Sequence, residues 1–152
     1  MSARASAKVI TSFTLAHSLT LALSATGSIQ LSPRFVEPLI AVSIIYVGVE
    51  NIMRREPRGR ALLTFGFGLI HGLGFAAALR ESGIGSLTGG VALPLVSFNL
   101  GVEMGQISIA ALALPLIWKL RQQPRFVTSY FPGCCTLIVL IGTYWFVQRV
   151  WW

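Results

Sequence analysis

Aspartate is absent from this chain, and five glutamates, two histidines and two cysteines are all that 152 residues offer in acidic, imidazole and thiol groups. Charged residues make up only 11%, against about 25% in a soluble domain. That deficit excludes an ordinary water-soluble fold. There is no His-Glu-x-x-His, no Gly-x-Ser-x-Gly and no Walker loop, so no recognised hydrolase motif is present and the chain alone is no ATP-driven pump. An enzyme is not expected. Cys134 and Cys135 are adjacent within an apolar run, which fits packing better than soft-metal ligation and carries no message about redox compartment. With acidic groups so rare, a carboxylate inside an apolar run is informative, and Glu50 and Glu103 are the two such positions.

What is present is grease. Hydrophobic residues reach 54%, and the mean hydropathy is +0.72. The formal charge of +7 comes from Lys and Arg at the edges of apolar runs or between them. That placement marks membrane topology and argues against nucleic acid as a partner. Five spans can be cut, at about 8–27, 35–53, 61–79, 92–117 and 126–148, joined by short connections rich in turn residues. The reading is one transmembrane helical domain over residues 1–152, an all-α polytopic bundle of about five helices.

Basic residues set the expected orientation. Arg4, Lys8, Arg54, Arg55, Arg58, Arg60, Lys119, Arg121 and Arg125 fall on one side, against Arg34, Arg80 and Arg149 on the other. Nine against three puts the N-terminus in the cytoplasm. Trp145, Trp151 and Trp152 then form an outer interfacial belt. A cleaved signal peptide is the alternative for the first span, since Ala22-Leu-Ser24 resembles a cleavage site. The hydroxyls of Thr11, Ser12, Thr14, Ser18 and Thr20 make the run unusually polar for that role.

The centre of the pattern is Thr64-Phe-Gly-Phe-Gly-Leu-Ile-His-Gly-Leu-Gly-Phe-Ala-Ala-Ala78, which puts His71 near the middle of the third span. Gly68 and Gly72, four apart, form a close-packing face, and Gly101 and Gly105 offer a second such ridge on the fourth span. His17 sits near the centre of the first span. Asn99, Glu103 and Gln106, at i, i+4 and i+7, form one polar stripe on the fourth. Glu50 reads about evenly as a polar-core residue or as a carboxylate pairing with Arg54 at the interface. Glu37 reads as a helix-dipole partner, and Pro132-Gly133 as a kink.

His17, His71 and Glu103 thus reach about the same depth. Two imidazoles and a carboxylate suit a borderline divalent transition metal such as Ni²⁺, Zn²⁺, Co²⁺ or Fe²⁺, with Asn99, Gln106, Glu50 and Ser18 as supporting polar groups. They would equally serve as a proton relay. Two further readings remain: the two histidines as axial ligands of a haem in an electron-transfer subunit, or polar residues that lock the helices of a structural or assembly subunit. The metal would be cargo, and no bound cofactor is called for.

Five ordered segments resemble a known family. They are Phe13-Thr-Leu-Ala-His-Ser-Leu-Thr-Leu21, Val36-Glu-Pro-Leu-Ile40, Tyr46-Val-Gly-Val-Glu-Asn51, Gly66-Phe-Gly-Leu-Ile-His-Gly-Leu-Gly-Phe75 and Phe98-Asn-Leu-Gly-Val-Glu-Met-Gly-Gln106. Together they resemble the HupE/UreJ family of bacterial membrane proteins, over about residues 9–118. The resemblance implies a multi-pass inner-membrane protein associated with hydrogenase and urease accessory functions and regarded as a nickel permease. It would assign His17, Glu50, His71, Asn99, Glu103 and Gln106 to a polar core. Family members commonly carry an additional helix with an Asp-His motif ahead of the His-Ser-Leu-Thr motif. With no Asp here, the chain is expected to be a truncated or divergent member, or one half of an assembly whose partner subunit brings the missing helix; a homo-oligomer is a separate expectation.

Overall fold

The computed structural model describes residues 3–53, 59–81 and 92–151. Within them the chain forms α1 (Ala3–Ala25), α2 (Pro33–Met53), α3 (Arg60–Glu81), α4 (Ala92–Leu120) and α5 (Phe131–Trp151), with a π-helical turn, Phe126–Tyr130, leading into α5. No strand occurs among the described residues. The expected spans agree with these helices to within a few residues. The connections carrying Arg54, Arg55, Pro57 and Arg58, and Gly83 to Gly90, lie outside the described residues, as does Trp152.

Local chemistry sets the helix ends. After α1, Gly27 takes φ 78°, and its N–H bonds to Ser24 O while Ser28 N–H bonds to Leu23 O. This is the paired bonding of a Schellman cap, which favours glycine because a Cβ resists left-handed backbone. Ser32 accepts from Phe35 and Val36, and Pro33 fills the first helical position, where its missing N–H costs nothing. At the entry to α5, Phe131 N–H reaches five residues back to Phe126 O. The widened turn stands one residue ahead of Pro132, whose ring would crowd the preceding turn of a regular helix and whose missing N–H frees a carbonyl. The distortion expected at Pro132-Gly133 therefore appears as this π-turn.

The helices pack in the spatial order α4, α1, α3, α2, α5. Small residues set the spacing. At Gly68 an added Cβ would come 2.6 Å from Phe13 O and 2.9 Å from Ala16 Cβ; at Gly72 it would collide with Thr20 Oγ1 and His17 O. Since 68 faces 13 and 16 while 72 faces 17 and 20, α1 and α3 run parallel. Gly48 on α2 faces Cys135 O and Val139, and Gly142 on α5 faces Ile44 and Ile45, so α2 and α5 interlock antiparallel. Gly101 and Gly105 do not form the second ridge expected of them, because nothing lies within 4 Å of a Cβ at either position. They face outward from a terminal helix of the row.

Burial is inverted relative to a soluble protein. His17, Thr20, Ser24, Ser43 and Glu50 are buried beside small apolar residues such as Ala16, Ala41 and Ala76, while Leu62, Leu112, Trp118 and Trp151 are more than 70% exposed. Lipid is the solvent such a surface fits. Three helical stretches among the described residues are long and apolar enough to cross a bilayer: Pro33–Met53, Leu93–Leu120 and Phe126–Trp151. In α3 the apolar stretch is the shorter Arg60–Ala76, and α1 carries the hydroxyl groups.

Candidate metal site

The intimate contact of α1 with α3 brings the only two histidines together. His17 is completely buried, and neither ring nitrogen has a hydrogen-bond partner among the described residues. His71 Nδ1 lies 2.8 Å from Phe67 O, one turn back on its own helix. A carbonyl only accepts, so Nδ1 carries the proton, and in the neutral ring Nε2 keeps a free lone pair. The backbone of α3 thereby fixes the tautomer, as a supporting hydrogen bond does for a metal-binding imidazole.

Aromatic rings enclose the pair. Phe13 stacks on His17 at 5.8 Å between centroids, with an 11° interplanar angle, and meets His71 edge-on at 5.4 Å. Phe75 approaches His17 edge-on at 5.3 Å, and Phe98 of α4 lies over it at 6.4 Å and 27°. Phe75 and Phe98 also touch each other, at 5.3 Å. This sleeve excludes water from His17 and offers its nitrogens no hydrogen bond. An unmet buried polar group costs about 1–3 kcal/mol.

The polar stripe of α4 is placed differently from expectation. Ser18 donates to Asn99 Oδ1 at 3.1 Å, and Thr14 Oγ1 is 2.9 Å from Gln106 Oε1. These contacts clasp α4 to α1 in antiparallel register. Glu103, between the two amides in sequence, is exposed. Among the described residues no group of three or more His, Cys, Asp or Glu side chains is positioned to hold a metal. His17 and His71 therefore converge, while among the described residues Glu103 is not grouped with them; Asn99 and Gln106 meet α1 on either side of it.

Glu50 stands apart from the histidines, in a cleft between α2 and α3 lined by Tyr46, Gly66 and Phe67 among others. Its expected partner Arg54 lies outside the described residues. Glu37 is not merely a helix-dipole group, for its Oε2 pairs with Arg149 Nε at 3.0 Å and ties the start of α2 to the end of α5. Cys135 is buried and Cys134 exposed.

The enclosing phenylalanines were not singled out from sequence. Their signal was spacing: Phe13 precedes His17 by four residues, and Phe75 follows His71 by four, so each shares a helix face with its histidine.

Helices with polar groups turned inward and large apolar side chains outward, around a sheltered imidazole pair, define an all-α membrane protein. The chain belongs to the HupE/UreJ family: the family model described as HupE / UreJ protein matches residues 2–149. The match reaches beyond the five resembling segments and takes in most of α5. No curated protein and no solved structure was found to match the chain.

Proposed function

We propose that the protein is a multi-pass permease of the bacterial inner membrane for a divalent transition metal of the nickel type, and that His17 and His71 form its cation site. Family membership supports the coarser reading, a membrane accessory or metal-transport protein. The observation that carries the finer one is His17, fully buried with both nitrogens unpartnered beside an imidazole whose Nε2 lone pair is held available. Neutral imidazoles are suitable ligands for Ni²⁺, Co²⁺ and Zn²⁺. Two histidines leave coordination positions open, and a cation that keeps water there is released more readily than one in a closed cage.

Glu103 enters this proposal as a charge on the cation's approach, not as a ligand. Asn99, Gln106 and Ser18 hold α4 in place so that Phe98 covers the site. The competing reading, a structural or assembly subunit, draws support from the same Ser18–Asn99 and Thr14–Gln106 contacts.

Nickel titration of the purified protein, with uptake into liposomes, separates the two. His17→Ala and His71→Ala should each weaken Ni²⁺ binding at least tenfold, whereas Glu103→Gln should slow uptake while equilibrium affinity changes little. Absence of Ni²⁺, Co²⁺ and Zn²⁺ binding to the wild-type protein would leave the structural reading standing.

A further inference from the structure

On the opposite flank of α3 from α1, a cleft of about 490 Å³ opens between α2 and α3. Its lining is mostly apolar: Leu62, Leu63, Phe67 and Ile70 of α3, with the Tyr46 ring of α2 edge-on to Phe67 at 5.9 Å. The exception is Glu50, only 9% exposed, which has no hydrogen-bond or ion-pair partner among the described residues. Glu50 lies three residues before the end of α2 at Met53, and α3 begins at Arg60, so the carboxylate sits within about one turn of the bundle's end, at interfacial depth. Arg60 marks the mouth, with Nη2 bonded to Asn51 Oδ1 at 2.6 Å.

We propose that this cleft binds a membrane phospholipid bearing a primary-amine headgroup, the ammonium on the Glu50 carboxylate and an acyl chain along Leu62, Gly66 and Ile70. Three features select that occupant. A hard cation such as Ca²⁺ or Mg²⁺ seeks six or more oxygen ligands and a transition metal seeks imidazole or thiolate, whereas the lining residues offer one carboxylate and one phenol. A hydrocarbon chain alone would fill the apolar walls but leave a buried carboxylate uncompensated, which is costly. An aminophospholipid satisfies both parts, since its ammonium donates to Glu50 in a charge-assisted contact stronger than a neutral one while its chain covers the apolar walls. Gly66 keeps the channel for the chain open, because a Cβ there would meet nothing within 4 Å. The inference is independent of the metal reading and uses neither histidine.

The test is native mass spectrometry of the delipidated full-length protein with synthetic dioleoyl phosphatidylethanolamine, phosphatidylcholine and phosphatidylglycerol in parallel. Wild type should retain one phosphatidylethanolamine at least fivefold more strongly than phosphatidylglycerol. Phosphatidylcholine, whose quaternary nitrogen has no N–H to donate, should fall between them. Glu50→Gln should abolish the preference for the amine, and Gly66→Leu, which fills the cleft, should lower retention of all three. Helical content and thermal midpoint are followed alongside. If Glu50→Gln does not fold, loss of phosphatidylethanolamine retention by folded Gly66→Leu supports the site and undiminished retention overturns it. Equal retention of phosphatidylethanolamine and phosphatidylglycerol by wild type, an unchanged preference in Glu50→Gln, or displacement of the lipid by millimolar Mg²⁺ would each overturn the proposal.

Discussion

At the scale of single residues the informative feature is a mismatch between burial and bonding. His17 is as buried as Leu21 and Ala16, yet its two nitrogens lack the hydrogen bonds that a buried imidazole ordinarily finds. His71, by contrast, spends one nitrogen on Phe67 O. If Phe98 is the cover over His17, Phe98→Ala should open it. Labelling of His17 by diethyl pyrocarbonate, followed by peptide mass spectrometry, should then accelerate severalfold while His71, approached by Phe13 and not by Phe98, changes less. Equal rates in wild type and variant would mean that Phe98 does not guard the site. Metal affinity should also fall with acid, because a proton competes with the metal for the imidazole lone pair. The loss is measurable by nickel titration over a pH series.

The histidines were legible because ionisable residues are rare inside apolar runs and costly there. Glu103 was legible as unusual but not as separate from them. Its depth follows from counting residues, whereas its exposure depends on how closely α1 approaches that part of α4. Two hydrogen bonds, Ser18 to Asn99 and Thr14 to Gln106, hold α4 to α1 on either side of it, and neither partner is predictable from sequence alone. Phe13, Phe75 and Phe98 were hidden for a related reason, since a phenylalanine in a greasy helix is unremarkable until a neighbouring helix shows what it covers.

At the scale of elements, a small-xxx-small pattern tells which helix can be approached closely but not which one is. Gly68–Gly72 and Gly101–Gly105 have the same spacing, yet the first pair is pressed against α1 and the second faces open space. Gly72→Leu should therefore drive side-chain bulk into His17 O and Thr20, parting α1 from α3, and Gly68→Leu should do the same at Phe13 O. Both should lose most of the folded protein. Gly101→Ala meets nothing, and the gain in helix propensity over glycine is worth up to about 1 kcal/mol, so its yield and thermal midpoint should match or exceed wild type. Size-exclusion profiles and melting of the four proteins in one detergent test the contrast. A destabilised Gly101→Ala would mean that a second surface, from another copy or another chain, packs there. Gly48 and Gly142, which have no glycine four residues away, proved to be the contacts between α2 and α5. Isolated glycines carry no periodic signal, and these two were missed for that reason.

At the scale of the whole molecule, the contacts fix relative direction even where hydropathy is equivocal. Ser18–Asn99 and Thr14–Gln106 run α4 against α1. Gly68 and Gly72 run α3 along α1. Gly74 beside Ile40 and Val36, with Tyr46 against Phe67, runs α2 against α3, and the Glu37–Arg149 pair agrees with α5 running against α2. Successive helices therefore alternate, as five crossings of one bilayer require, although only three stretches are apolar enough to be identified by composition. The two others hold the polar interior, which lowers their hydropathy. Combined with nine basic residues on one side against three on the other, alternation predicts that the Arg54 to Arg60 connection is cytoplasmic and that Trp151 lies at the outer face. Alkaline phosphatase fused after Trp152 should be active, and a green fluorescent protein at the same point dark, in bacterial cells. The reverse fusions placed in the Arg54 to Arg60 connection should invert that result. A fluorescent C-terminus would mean either that the basic-residue bias has been overridden or that one of the two polar helices, α1 or α3, does not cross. Cysteine labelling from the outside distinguishes these: an inverted molecule exposes cysteines introduced at both Ser2 and Gly59, a molecule whose α1 does not cross exposes the one at Gly59 alone, and one whose α3 does not cross exposes neither.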